Sequence, residues 1–203
     1  AFVEAVPALG AATMLGKLYY HGTPTGLFGG GEQFDRIVID APASGHVVPF
    51  FHTPRAMAQM VPEGAMRENT SVVAEFLARE SAFVLVTLPA EMAVTGALEL
   101  SGAVDRELEF ASHYAVVNQC TQAVLGLSHD LAGLGPGAQT LLDRLREGAD
   151  TLHDPNARRL SHMGLNRLEA LRRDHQLIQR LRDGLDWPMT TVDRVLVPRL
   201  GPE

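Results

Sequence analysis

The chain has 203 residues, with 17 Lys and Arg against 24 Asp and Glu, for a formal charge of −7. Its 46% hydrophobic and 20% charged content is that of a globular chain with a sizeable core and excludes a disordered acidic tail. The acidic balance argues against non-specific nucleic-acid binding, the single Cys120 excludes an internal disulfide, and no apolar run is long enough to span a bilayer.

Residues 4–20 are rich in Ala, Leu and Met with little β-branching, which predicts a helix despite Pro7, Gly10 and Gly16. Glycines and a proline clustered between Thr23 and Gln33 predict a loop. Phe34–Asp40 (FDRIVID) follows as a β-rich run with Ile37, Val38 and Ile39 in succession. That is the pattern of a strand buried on both faces, broken by Pro42, Ser44 and Gly45. Helical patterns recur around Pro54–Met60 and Thr70–Arg79. Ala82–Leu88 (AFVLVTL) predicts a second buried strand stopped by Pro89, and Glu91–Val104 predicts a helix. His113–Asn118 (HYAVVN) predicts a third buried strand, and Val192–Val197 a fourth after the Trp187-Pro188 turn.

Between Asp154 and Asp186, Leu160, Leu168, Leu171, Ile178, Leu181 and Leu185 recur at roughly helical spacing among arginines, and Asp154-Pro155 suits a helix start. A long C-terminal amphipathic helix packed on the sheet is expected, with a partner-binding or dimer-forming helix as the alternative. Strands separated by helices give the fold class: α/β, a mostly parallel sheet covered by helices on both faces. The expected setting is cytoplasmic, without a signal peptide, and both ends look cut from something larger.

Open parallel sheets bind ligands at the carboxyl ends of their strands, and three polar clusters are predicted there: Asp40–His46, Thr87–Glu91 and Asn118-Gln119. An Asp ending an apolar strand can hold a divalent cation or its waters; it can equally cap a following turn or helix. Pro42 and Gly45 would frame a loop able to change shape with nucleotide state. Ser44 with His46 as base is a hydrolase alternative, but the elbow pattern G-x-S-x-G is absent, because position 42 is Pro and position 46 is His. His46 and His52 are six apart and the other histidines scattered, so no transition-metal site is expected. Gly29-Gly30-Gly31 lacks a following Lys-Ser/Thr, and no G-x-x-x-x-G-K-[ST] occurs in the chain.

At these strand ends the sequence resembles a known family. FDRIVIDAPASGH is similar to the switch II segment, a strand followed by Asp-x-x-Pro-Thr-Gly-His, of the arsenite-stimulated anion-pump ATPases and their relatives that deliver tail-anchored membrane proteins. FVLVTLPAEMAVTGALEL resembles the family's next strand and helix, YAVVNQ the strand whose Asn-Gln contacts adenine, and Ala8–Tyr20 the helix preceding switch II in bacterial members. The likeness covers most of the chain and is weak between residues 122 and 155.

The resemblance implies a P-loop NTPase-like α/β domain over residues 1–203, incomplete, with variable helical regions at about 50–80 and 121–150 that would receive a cargo or membrane-protein partner. It places Asp40 near a magnesium ion and its waters. Pro42, Ser44, Gly45 and His46 would form the nucleotide-sensing switch loop, with Ser44, Gly45 and His46 joining Asp40 in catalysis. Asn118 and Gln119 would meet adenine, with Pro198 and Leu200 in a loop beside it. The implied cofactors are ATP and Mg2+, and the implied assembly is a homodimer that neither binds nucleic acid nor spans a membrane. The implied activity is ATP hydrolysis coupled to a transport or membrane-protein partner.

Ser44 and Val47 stand where the family has Thr, and Pro49 where it tends to carry Leu or Arg. The zinc-binding cysteine pair of the eukaryotic dimers and the P-loop have no counterpart in these residues. Without the P-loop amides and lysine the chain alone is expected not to hydrolyse ATP. The alternative is a degenerate, non-enzymatic NTPase-like interaction module. Met57, Met60, Val61 and Met66 could offer a soft surface to a partner, although core packing is the more ordinary use of such residues. Arsenite is an unsuitable cargo, since one cysteine cannot supply a thiolate site.

Overall fold

The computed structural model describes residues 7–23, 34–121 and 137–194. In chain order these form α1 (Pro7–Gly22), α2 (Ser44–Met60), α3 (Ala65–Glu80), β1 (Ala82–Thr87), α4 (Glu91–Glu107), β2 (Ser112–Cys120), α5 (Gly137–Asp150), α6 (Pro155–Gly184) and β3 (Met189–Asp193). The α/β class holds. The chain divides into two compact units, residues 1–83 with 99–113 and residues 84–98 with 114–203.

In the first unit α1, α2 and α3 pack on one another around Leu15, Val73 and Leu77, flanked by Leu18, Tyr19, Phe50 and Phe51. Helix α2 runs through two prolines. The helical pattern expected around Pro54–Met60 is the C-terminal part of this helix, which begins ten residues before Pro54, at Ser44, so that Pro49 and Pro54 are internal. The hydroxyl of Thr53 donates to the Pro49 carbonyl at 2.8 Å, partnering a backbone oxygen near the disturbed hydrogen-bond ladder. An aromatic chain extends this core: Phe110 stacks on Phe83 at 5.5 Å between centroids and meets Phe51 edge-on at 5.3 Å.

In the second unit the sheet has the order β1-β2-β3, and β2 pairs with β3 in parallel, Ala115 facing Met189 and Val117 facing Thr191. Cys120 then faces Asp193, so β2 spends one residue more than β3 over this stretch. Gln119, at φ 57°, adopts the left-handed conformation within this bulge. Helix α6 is the long helix expected from the leucine spacing. Asp154 caps it, accepting the Asn156 N–H at 2.9 Å, with Pro155 in the first turn. Its buried face is Leu165, Asp174, Leu177 and Leu181, whereas Leu160 is exposed. Leu165 also packs with Leu142 and Ala149 of α5.

Three expectations are corrected. Phe34–Asp40 forms no strand, and Val38 is 94% exposed. Apolar composition alone does not make a strand: the ladder needs a neighbour, and among the described residues the segment joins no ladder, its Phe34 N–H donating singly to the His21 carbonyl at 3.3 Å. The sheet is not covered on both faces among the described residues, because β1 alternates, Phe83, Leu85 and Thr87 buried and Val84 and Val86 exposed. Most of the methionine-rich group does not pack in the core: Met60 is 83% exposed and Met66 is exposed, with Met57 and Val61 half-buried. The fourth predicted strand starts earlier, at Met189, and its expected residues 195–197 lie outside the described residues, as does the glycine-rich stretch 24–33.

Candidate functional site

The segment Asp40-Ala41-Pro42-Ala43 leads directly into α2, whose first residues are Ser44, Gly45 and His46. The expected switch loop is therefore helical from Ser44 onward, for a local reason. His46 N–H reaches the Ala43 carbonyl at 2.7 Å, closing the first turn, and Val47 anchors it as the first buried side chain of the helix. The N-cap is Ala43, which has no side-chain oxygen, and no side chain caps the helix. This leaves the leading N–H groups of a 17-residue helix uncapped by side chains, at its positive dipole end.

Asp40, Ser44, Gly45 and His46 are exposed and Pro42 is half-buried. The capping role considered for Asp40 is not taken, since α2 has no side-chain cap. A Cβ at Gly45 would meet nothing within 4 Å, so no close packing requires glycine there.

The other two clusters lie in the second unit. Thr87 at the end of β1 is buried, and its hydroxyl donates to the Ala93 carbonyl at 3.1 Å; Glu91 ion-pairs with Arg180. That cluster is thereby accounted for by packing and surface charge. Asn118 stands in β2 at the bulge, where its Oδ1 accepts the Gln119 N–H at 2.8 Å. One lone pair of the amide oxygen is thus engaged, while its NH2 has no partner among the described residues. Gln119 is exposed. Pro198 and Leu200 lie outside the described residues.

Beyond Asn118, the carboxyl end of β2 is tied down. Arg194 N–H donates to the Cys120 carbonyl at 2.8 Å, and the buried Asp174 accepts the Thr121 N–H at 2.7 Å. The Cys120 thiol donates to the Val117 carbonyl at 3.3 Å. Burial pushes its pKa above the ordinary 9.0, and the nearby Asp174 charge pushes in the same direction. Asp174 was missed by sequence reasoning, yet it had a signal: a carboxylate in register with Leu177 and Leu181 on the apolar stripe of α6.

The first unit also holds a cleft of about 350 Å3 lined by α2, α3 and residues 107–110, which no strand-end argument would locate. Among the described residues no group of three or more His, Cys, Asp or Glu is arranged to hold a metal ion, and no helix is long and apolar enough to cross a membrane. No protein-family model matches the chain, and no curated protein matches it.

Proposed function

We propose that this chain is the nucleotide-sensing part of an anion-transporting-type ATPase, a P-loop NTPase-like domain in which ATP binding and hydrolysis, with Mg2+, drive a change passed to a membrane-protein or transport partner. One observation carries the reading: the D-A-P-A-S-G-H segment opens onto the uncapped N-terminus of α2, with the exposed Asp40 four residues ahead of the Ser44 hydroxyl. Uncapped helix N–H groups favour phosphate oxygens. A carboxylate and a hydroxyl are the hard oxygen donors that suit Mg2+, which keeps several of its waters. Asn118, whose amide donors have no partner among the described residues and which stands near the end of a parallel strand, is the residue type that pairs with an adenine edge. Against the family pattern, Pro42 falls one residue early, at the position before Ala43.

In this reading the α2 amides would orient a phosphate group, Asp40 would hold Mg2+ through its waters, and Ser44, Gly45 and His46 would change shape as the nucleotide state changes. Mg-ATP supplies the phosphoanhydride and its charge neutralisation. Turnover belongs to a product that also carries a P-loop, acting as a cytoplasmic homodimer. The test is Mg-ATP turnover by a P-loop-bearing product of the gene, with and without Asp40→Ala. Turnover abolished by the substitution at unchanged stability supports the reading. A P-loop-bearing product that neither binds nor hydrolyses ATP overturns it in favour of a non-enzymatic interaction module.

A further inference from the structure

We propose that the cleft of the first unit binds a short zwitterionic peptide with apolar side chains, of dipeptide size. Its volume of about 350 Å3 is within the range of small-ligand pockets. Phe51, Leu77, Leu108 and Phe110 line it with apolar surface, and Phe51 and Phe110 meet edge to face at 5.3 Å.

The charges define the ligand's ends. Arg55 and Glu109 both line the cleft but satisfy each other at 2.6 Å. Arg67, Glu75 and Glu107 also line it, and their side chains have no ion-pair or hydrogen-bond partner among the described residues. A lone anion drawn to Arg67 would face two carboxylates, and a lone cation drawn to the carboxylates would face Arg67. A ligand with one charge of each sign satisfies both, the guanidinium fork taking the carboxylate and a Glu taking the ammonium. The spacing sets the size. Arg67, Ser71 and Glu75 follow one another at helical i, i+4, i+8 positions of α3, so Arg67 and Glu75 are separated by about 12 Å of helix axis. An extended dipeptide spans about 7 Å, and the side chains' own reach closes the remainder. Ser71 lies between them, placed to hydrogen-bond the ligand's central amide.

The experiment is a titration of the isotopically labelled 203-residue chain with the dipeptide Leu-Phe, followed through backbone amide resonances. Saturable shifts at Ser71, Ala74 and Ala78 are expected, with no such shifts from Gly-Gly. N-acetyl-Leu-Phe, which lacks the ammonium, and Leu-Phe amide, which lacks the carboxylate, should each bind about tenfold or more weakly, as expected for losing one charged hydrogen bond. Arg67→Ala should weaken Leu-Phe to the level of its amide while leaving the amide's own affinity unchanged. Arg67 is exposed, so the variant should unfold at the parent's denaturant midpoint, which is checked in parallel. Absence of saturable shifts at millimolar Leu-Phe, equal binding of the capped peptides, or indifference to Arg67→Ala would each overturn the proposal. None of these results bears on the nucleotide reading, which concerns Asp40 and its neighbours.

Discussion

Asp174 Oδ2 accepts the backbone N–H of Thr121 at 2.7 Å, so a buried carboxylate from the middle of a 30-residue helix holds the chain as it leaves β2. The residue past a strand end has no guaranteed ladder partner, and a buried N–H left unpaired is costly. The bond also fixes the exit of the strand directly after the Asn118-Gln119 bulge. A polar side chain at an apolar stripe position is thereby explained by what it does for a neighbouring element.

Asp174→Ala should destabilise the chain by about 1–3 kcal/mol, the range for leaving a donor unsatisfied, with the half-buried Thr121 placing it toward the lower end. Asp174→Asn keeps an acceptor oxygen and should cost less. Urea unfolding followed by circular dichroism measures both. Equal and negligible losses would mean that water reaches the Thr121 N–H and the bond does not carry the strand exit.

Cys120 gives the fold a dependence on alkaline pH. Burial first, and the Asp174 charge second, raise its pKa above 9.0, so the folded chain keeps the thiol protonated where the unfolded chain has begun to lose its proton. The associated stability is fully present below pH 9.0, declines as the pH rises through and beyond that value, and levels off above the raised pKa. Denaturation midpoints for the parent and Cys120→Ala, compared across this window, should diverge in pH dependence: the parent loses more stability than the variant. In the same range Asp174→Asn should lower the thiol's pKa, read from thiolate ultraviolet absorbance. Parallel pH profiles for parent and Cys120→Ala would show that the thiol ionises equally in both states.

Legibility in the sequence followed how local the determinants are. The α6 helix was readable because Asp154-Pro155 and the leucine spacing are both local signals, and strands β1 and β2 because their apolar runs are bounded by Pro89 and by polar residues. Phe34–Asp40 reads equally well as a strand yet forms none, because strand formation depends on a neighbour that the segment's own residues do not specify. The prolines of α2 misled in the opposite direction. The helical pattern is legible only around Pro54–Met60, whereas packing of Val47, Phe50 and Phe51 carries the helix back through both prolines to Ser44. The strand-end clusters could be listed from sequence, but only the fold separates Thr87, satisfied by the Ala93 carbonyl, from Asn118, whose amide donors have no partner among the described residues. The cleft had no sequence signal, since its lining is assembled from three separated segments.

Phe110 is the hinge of the first unit's aromatic chain, stacked on Phe83 and edge-on to Phe51 and His113. It is half-buried, so Phe110→Ala should cost about 2–4 kcal/mol, at or below the range for a fully buried ring. Phe110→Leu, which keeps apolar volume, should cost less than half as much. Thermal unfolding separates the two. A loss below about 0.5 kcal/mol for the alanine variant, the range of ordinary surface substitutions, would mean that the ring contributes little beyond its position on the surface.

Gly45 distinguishes a static helix start from a segment that changes shape. A Cβ there meets nothing within 4 Å, and alanine is the better helix former, so Gly45→Ala should stabilise the chain by a few tenths to about 1 kcal/mol. If Ser44–His46 serve only as the first turn of α2, that gain should come without functional consequence. If they must leave the helix as a γ-phosphate departs, the same gain weighs against the remodelled state, and turnover by a P-loop-bearing product should fall as stability rises. The two quantities are measured on one variant, by unfolding and by phosphate release. A stabilised Gly45→Ala protein with undiminished turnover would leave Asp40 as the holder of Mg2+ waters and the α2 amides as phosphate contacts but remove the shape change from the mechanism.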